Sequence, residues 1–195
     1  MFMKNADSLP TISFATRQDW EAWLKERQDE ASGLWLKIAK KGTGIPSLSY
    51  AEALEVALCY GWIDGQKASF DDQYWLQKFT PRGPKSIWSK VNCDKVTALL
   101  AEGRMQPAGI RQMERAQADG RWEAAYESQS KITIPADFQS ELDKNQQAQE
   151  FFQTLNSVNR YAILFRIQTA KRPETRSARI QKFIAMLAQQ QKIYP

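Results

Sequence analysis

Two hydrophobic periods share the first half of the chain, and one dominates the second. Leu34, Leu36 and Ile38 alternate with Trp35, Lys37 and Ala39, a period of two that predicts a strand running into Lys40-Lys41-Gly42. Trp62-Ile-Asp-Gly-Gln66 and Tyr74-Trp-Leu-Gln-Lys-Phe79 flank a segment holding Asp71-Asp72 and predict the two strands of a hairpin. Thr11–Thr16 also alternates and predicts a further short strand. Helical spacing separates these runs. Trp20, Trp23 and Leu24 follow a Thr16 cap with Asp19 in the first turn, and Gly33 is the expected stop. Tyr50, Ala53, Leu54, Ala57 and Leu58 follow the capping box Ser49-Tyr-Ala-Glu52 and end at Gly61, where a left-handed cap belongs.

Beyond Thr80-Pro-Arg-Gly-Pro84 the chain turns helical. Val96, Leu99 and Leu100 lead to Gly103 with Asn92 as the expected cap, and Ile110 and Met113 lead to Gly120. Residues 121–135 show no period. Phe138 with Leu142, then Phe151, Phe152 and Leu155, mark two short helices. Ser157 is the expected cap of a stronger one through Val158, Tyr161, Ala162, Leu164, Phe165 and Ile167. Pro173 opens the last, with Ile180, Phe183, Ile184 and Leu187 as its apolar stripe. The fold class is therefore α+β: a small, mainly antiparallel sheet with covering helices, followed by a mostly helical C-terminal half. The Pro- and Gly-bearing stretch marks a small α+β lobe over 1–85 and a helical lobe over 86–195, expected to pack as one compact unit.

Composition narrows the chemistry. The chain has no histidine, which removes His-based nucleophile activation, His metal ligation and His pH switching together. Cys59 and Cys93 stand alone without metal or redox spacing, so neither a metal nor a cofactor is expected. Any catalysis must run on carboxylates, Lys, Arg, Tyr or a free thiol, and whether the chain is an enzyme stays open. No Gly-rich phosphate loop or nucleophile elbow is present. No segment has the apolar length of a signal peptide or a membrane span, which points to a cytoplasmic protein with no membrane span. The net charge of +5 resides in the last 36 residues, where Arg160, Arg166, Lys171, Arg172, Arg176, Arg179, Lys182 and Lys192 face Glu174 alone. Such a run attracts anions or is a solvated helix face. The aromatics mostly fit core stripes, so a nucleic-acid partner is not expected.

Three constellations can carry function. Gly61-Trp-Ile-Asp-Gly65 puts Trp62 and Asp64 on one face of a strand just after a helix stop. Phe79-Thr-Pro-Arg82 delivers Arg82 to a helix start containing Ser86, Trp88, Ser89 and Asn92, a way to hold a carboxylate or phosphate. With the two strands paired, Trp62, Asp64, Arg82, Trp88 and Asn92 are expected to line one pocket between the sheet and the helical half, suited to a small polar, anionic or zwitterionic ligand. In the third, Arg176 falls in line with the apolar stripe of the last helix and Arg172 one turn earlier, which predicts anion binding or a structural ion pair.

These residues also carry a family likeness. Leu34-Trp-Leu-Lys-Ile-Ala-Lys-Lys41, Tyr50-Ala-Glu-Ala53, Gly61-Trp-Ile-Asp-Gly65, Phe79-Thr-Pro-Arg82, Trp88-Ser-Lys-Val-Asn92, Gly103-Arg-Met-Gln-Pro107, Asn159-Arg-Tyr161 and Thr169-Ala-Lys-Arg-Pro-Glu-Thr175 together resemble the YdeI/OmpD-associated (bacteriocin-protection) family from about Gly33 to the end. The resemblance implies an accessory protein of bacteriocin, antimicrobial-peptide or envelope-stress protection that acts by binding a ligand or a protein partner. The alternatives are a small enzyme or sensor of an anionic or zwitterionic metabolite, and a nucleic-acid binder using the basic C-terminal helices.

Overall fold

The computed structural model describes residues 9–195; the first eight residues, part of the segment read above for a leader, lie outside it. These residues form two compact units. The first takes the chain up to Ser86 and again over Asn92–Glu123, and the second takes Ile87–Val91 and Ala124–Pro195.

The first unit is built on an open four-stranded sheet, mostly antiparallel, in the order β1 (Thr11–Ile12), β2 (Leu34–Ala39), β4 (Tyr74–Pro81), β3 (Trp62–Ser69). Only β1 runs parallel to its neighbour. It is shorter than the alternation over Thr11–Thr16 predicts. The Phe14 carbonyl leaves the ladder to accept the Leu48 N–H at 3.1 Å, and Thr16 is already the cap of helix α1 (Arg17–Arg27). That cap is reciprocal: the Thr16 hydroxyl accepts the Asp19 N–H while the Asp19 carboxylate accepts the Thr16 N–H. The helix stops at Arg27, before Gly33, whose φ of 145° serves the entry to β2. Helix α2 (Tyr50–Cys59) has the same kind of box at Ser49 and Glu52 and ends on Gly61 at φ 73°.

Helices α1 and α2 cover one sheet face, and the aromatic period explains why. Trp20 is wholly buried, lies edge-on to Trp62 and tilted to Phe79, and its indole N–H donates to the Ala53 carbonyl at 3.1 Å. An indole buried this way keeps its donor satisfied, so its full apolar area stabilises the core. Helix α3 (Lys90–Ala101) begins two residues before Asn92, which is therefore inside the helix and buried, not its cap. Leu100, expected in the stripe, is exposed; Asn92, Cys93, Val96 and Leu99 form the buried side. Helix α4 (Pro107–Ala118) starts with proline at its first position and buries Gly109, Met113 and Ala116.

The second unit is helical. Ile87–Val91 belongs to it through a short ladder in which the Tyr126 N–H donates to the Trp88 carbonyl and the Lys90 N–H returns to the Tyr126 carbonyl. Helices α5 (Ala136–Asp143), α6 (Gln146–Thr154), α7 (Ser157–Gln168) and α8 (Pro173–Ala188) enclose a core of Phe138, Leu142, Phe152, Ile163, Ile167 and the α8 stripe Ile180, Phe183, Ile184 and Leu187. The cap of α7 is Asn156, whose side chain accepts the Asn159 N–H; Ser157 is the first helical residue. Asn159, 1% exposed, also accepts the N–H groups of Ile193 and Tyr194 and so fixes the C-terminal segment. No helix of the described residues is long and apolar enough to cross a membrane.

Candidate functional site

The covered face of the sheet changes character towards the hairpin end, and a bulge is the cause. Asp64 pairs with Phe79 and Lys67 with Gln77, so three residues on β3 oppose two on β4. Strict alternation puts residues three apart on opposite faces. The extra residue in the bulge brings Asp64 and Lys67 onto the same face. Gln77 stabilises this break. Its side chain is buried, and its amide donates to the Gly65 carbonyl at 2.9 Å and the Gln66 carbonyl at 3.2 Å, acceptors within the bulge. Gln77→Leu keeps the size and removes both donors. It is expected to cost about 1–2 kcal/mol through unsatisfied carbonyls, measured by urea denaturation, and an unchanged midpoint would refute this role for the amide.

Four side chains meet on this face. The Tyr50 hydroxyl, from the first residue of α2, donates to the Asp64 carboxylate at 2.8 Å. The Tyr50 ring lies 6.3 Å from the Trp75 ring, and the Lys67 ammonium stands 4.4 Å over the Trp75 ring. Beside them opens a cleft of about 460 Å³ lined by Lys40, Lys67, Ala68, Ser69 and Trp75. Two ammonium groups, a hydroxyl and a half-buried indole offer an anion a charge partner and its carbon skeleton a flat wall. The Tyr50–Asp64 pair lies outside the cleft lining but adjoins it through the Tyr50–Trp75 ring contact, and it offers an acceptor to an ammonium or hydroxyl.

The five residues expected to form one pocket are placed as follows. Trp62 is buried against Trp20 and Trp23 and is part of the core. Asp64 is half-buried and carries the tyrosine bond. Arg82 is buried beside the start of β3, since its backbone N–H donates to the Gly61 carbonyl at 3.0 Å. Asn92 is buried on α3, and Trp88 is buried in the second unit. Tyr50, Lys67 and Trp75 were not singled out by sequence reasoning. Tyr50 counts as one more apolar residue of a helical stripe, and without the bulge Lys67 reads as facing away from Asp64. Ser86, read as part of the helix start after Arg82, closes a turn by accepting the Gly83 N–H at 3.0 Å.

In the second unit, Arg176 forks onto Asp137, with Nε 2.6 Å from Oδ2 and Nη2 2.8 Å from Oδ1, while Nη1 donates to the Ile167 carbonyl at 2.8 Å. The guanidinium bonded to it holds the Asp137 carboxyl below its ordinary range. Arg172 stands exposed at the N-cap of α8 and makes no side-chain cap. Among the thiols, burial pushes Cys59 up to about 11, so it is protonated and a poor nucleophile at neutral pH.

Two family descriptions match this chain. A domain of unknown function, DUF8412, matches residues 12–112, more than half of the sequence. The family described as Bacteriocin-protection, YdeI or OmpD-Associated matches residues 131–190. The second match is thus confined to the C-terminal part, around Asn159-Arg-Tyr161 and Thr169–Thr175, and does not extend from Gly33. Comparison with curated proteins and with solved structures gives no match.

Proposed function

We propose that this chain, which belongs to the DUF8412 family, is a cytoplasmic accessory protein of bacteriocin or antimicrobial-peptide protection and envelope stress that works by binding a small anionic or zwitterionic ligand. The biological role rests on the match of residues 131–190 to a family described by bacteriocin protection. The mode of action rests on one observation: an ammonium over an indole, both lining a cleft, with a tyrosine-held carboxylate on the same sheet face. Opposite charges about a flat wall suit a molecule that carries both an anionic group and a donor. Cys59 and Cys93 are both buried, and as thiols they suit a reducing compartment.

A thermal-shift screen of anionic and zwitterionic metabolites tests the binding reading. A ligand at ten times its Kd is expected to stabilise by about 1.4 kcal/mol, or roughly 3–6 °C for a chain of this size. Lys67→Gln and Asp64→Asn should each erase that shift while leaving the melting temperature without ligand nearly unchanged. A shift that survives both substitutions places the ligand elsewhere. Cells deleted for the gene should lose survival under bacteriocin challenge and regain it with the wild-type copy; full survival of the deletion strain ends the protective role. Fractionation of lysed cells checks the compartment.

A further inference from the structure

The second face of the same sheet has a composition of its own. On β2 and β4 the covered face, Leu34, Leu36, Ile38, Gln77 and Phe79, is buried, whereas Trp35, Lys37, Tyr74, Leu76 and Lys78 on the opposite face are all half-buried. Register places Lys78 across from Trp35, Leu76 across from Lys37 and Tyr74 across from Ala39. Directly opposed residues share a face, so these five side chains form one continuous surface. Phe70, 50% exposed at the end of the hairpin, extends it. The lysines lie on the rings: the Lys37 ammonium is 3.9 Å from the Tyr74 ring centre and 4.7 Å from that of Phe70, and the Lys78 ammonium is 5.8 Å from that of Trp35. Asp64, the one carboxylate within the four described strands, is on the covered face.

We propose that this open sheet face binds single-stranded nucleic acid, with Trp35 and Tyr74 stacking bases and Lys37 and Lys78 neutralising the phosphates between them. The order along the sheet carries the inference. Trp35 and Tyr74 are separated by four residues of strand, about 13 Å, with Lys37 between them and Lys78 beside Trp35. Two rings at that separation suit bases two nucleotides apart on an extended strand, with Lys37 beside the backbone phosphates between them. Unliganded, each ammonium rests on a ring face. On binding, the ring exchanges its cation for a base, and the lysine, on a flexible stem, swings to the phosphate. A paired duplex keeps its bases stacked inside and offers none to the rings, so the face selects unpaired strands. An acidic protein would satisfy the lysines and leave the indole and phenol faces without their stacking partner. This surface is distinct from the cleft proposed above for a small ligand, and either can fail alone.

Fluorescence anisotropy of the full chain with labelled ten-nucleotide single strands (dT and rU), and with a duplex of the same length, tests the proposal. Single strands are expected to bind more tightly than duplex. Trp35→Ala and Tyr74→Ala should each weaken binding about tenfold. Lys37→Gln should lower the slope of log K against log salt by about 0.7, the value of one phosphate on a single strand. If Trp35→Ala fails to fold, the Lys37→Gln/Lys78→Gln variant, changed only at partly exposed lysines, decides: retained affinity overturns the proposal and loss supports it. Several results sink it outright. These are no single-strand binding at 50 mM salt, equal affinity for duplex, and binding that is lost only when Arg160, Arg166 and Lys182 are neutralised. Self-association abolished by Trp35→Ala without oligonucleotide binding would make the face an interface between copies. Capture by vesicles of anionic lipid in place of oligonucleotides would make it a membrane surface. Either of these results refutes the assignment.

Discussion

Gly109→Ala is expected to destabilise the protein by more than about 3 kcal/mol, although glycine to alanine within a helix ordinarily gains about 1 kcal/mol. Gly109 sits in the first turn of α4, and a methyl group there would lie 2.2 Å from the Cys59 carbonyl oxygen and 2.8 Å from that of Leu58. Both atoms are backbone of the last turn of α2, so no side-chain rotation relieves the overlap. The two helices meet main chain to main chain. The Gln106 N–H donates to the same Cys59 carbonyl at 3.1 Å, and Gly61, just past α2, would press its own added methyl to 3.0 Å from the Ala108 carbonyl oxygen. Separating them breaks that bond and opens the buried side of α4 at Met113 and Ala116. Thermal unfolding should fall by roughly 6–12 °C or more. A variant as stable as wild type would show that α2 and α4 do not approach so closely.

Arg176→Ala should cost about 2–3 kcal/mol, and Arg179→Ala no more than about 1 kcal/mol. Arg176 joins three helices at their charged ends. Asp137 lies in the first turn of α5, where a carboxylate suits the positive end of the helix dipole, and the Ile167 carbonyl is among the last of α7, where a cation suits the negative end. Removing the guanidinium leaves a part-buried carbonyl and a carboxylate without their donor. Asp137 is 46% exposed, so water recovers part of the loss and the figure stays below that of a fully buried pair. Arg179 makes a single bond, to the Arg166 carbonyl. A pH signature separates the two variants. The Asp137 carboxyl is held low in the folded protein, so its contribution is complete above the ordinary carboxylate value of 3.8 and disappears as pH falls through the folded value. Arg176→Ala should lose stability at neutral pH and show a shallower decline below pH ~4, while Arg179→Ala keeps the wild-type acid limb. Equal midpoints for both variants would show that the fork adds nothing to stability.

Local sequence rules worked where the physics is local. The caps at Thr16 and Ser49, the left-handed Gly61, the alternation of Leu34–Ala39 and the stripe of α8 depend on neighbours within a few residues, and each forms as its residues dictate. The α+β class follows from the change of period. The in-line position of Arg176 was legible too, because a helix's periodicity alone places it. Its partner was not: Asp137 is 39 residues away, and nothing local marks it as the acid that α5 presents.

What only the tertiary structure decided concerns registers and returns. The bulge between Asp64 and Lys67 adds one residue and reverses the facing of β3 beyond it, so Lys67 joins Asp64 and Trp75 instead of opposing them. The pairing of β2 with β4 turns Trp35 and Tyr74 away from the core that their aromatic character suggests. Trp62, equally aromatic and next to the glycine cap, goes inward because Trp20 and Trp23 cover it. Residues 92–123 return to the first unit, where α4 meets α2 in the close backbone contact at Gly109, a contact that leaves no periodic trace. Sequence therefore determined which elements form and which of their faces are apolar, since these are sums over near neighbours. The tertiary structure determined which polar residues meet, because that is set by strand register and close packing between segments far apart in the chain.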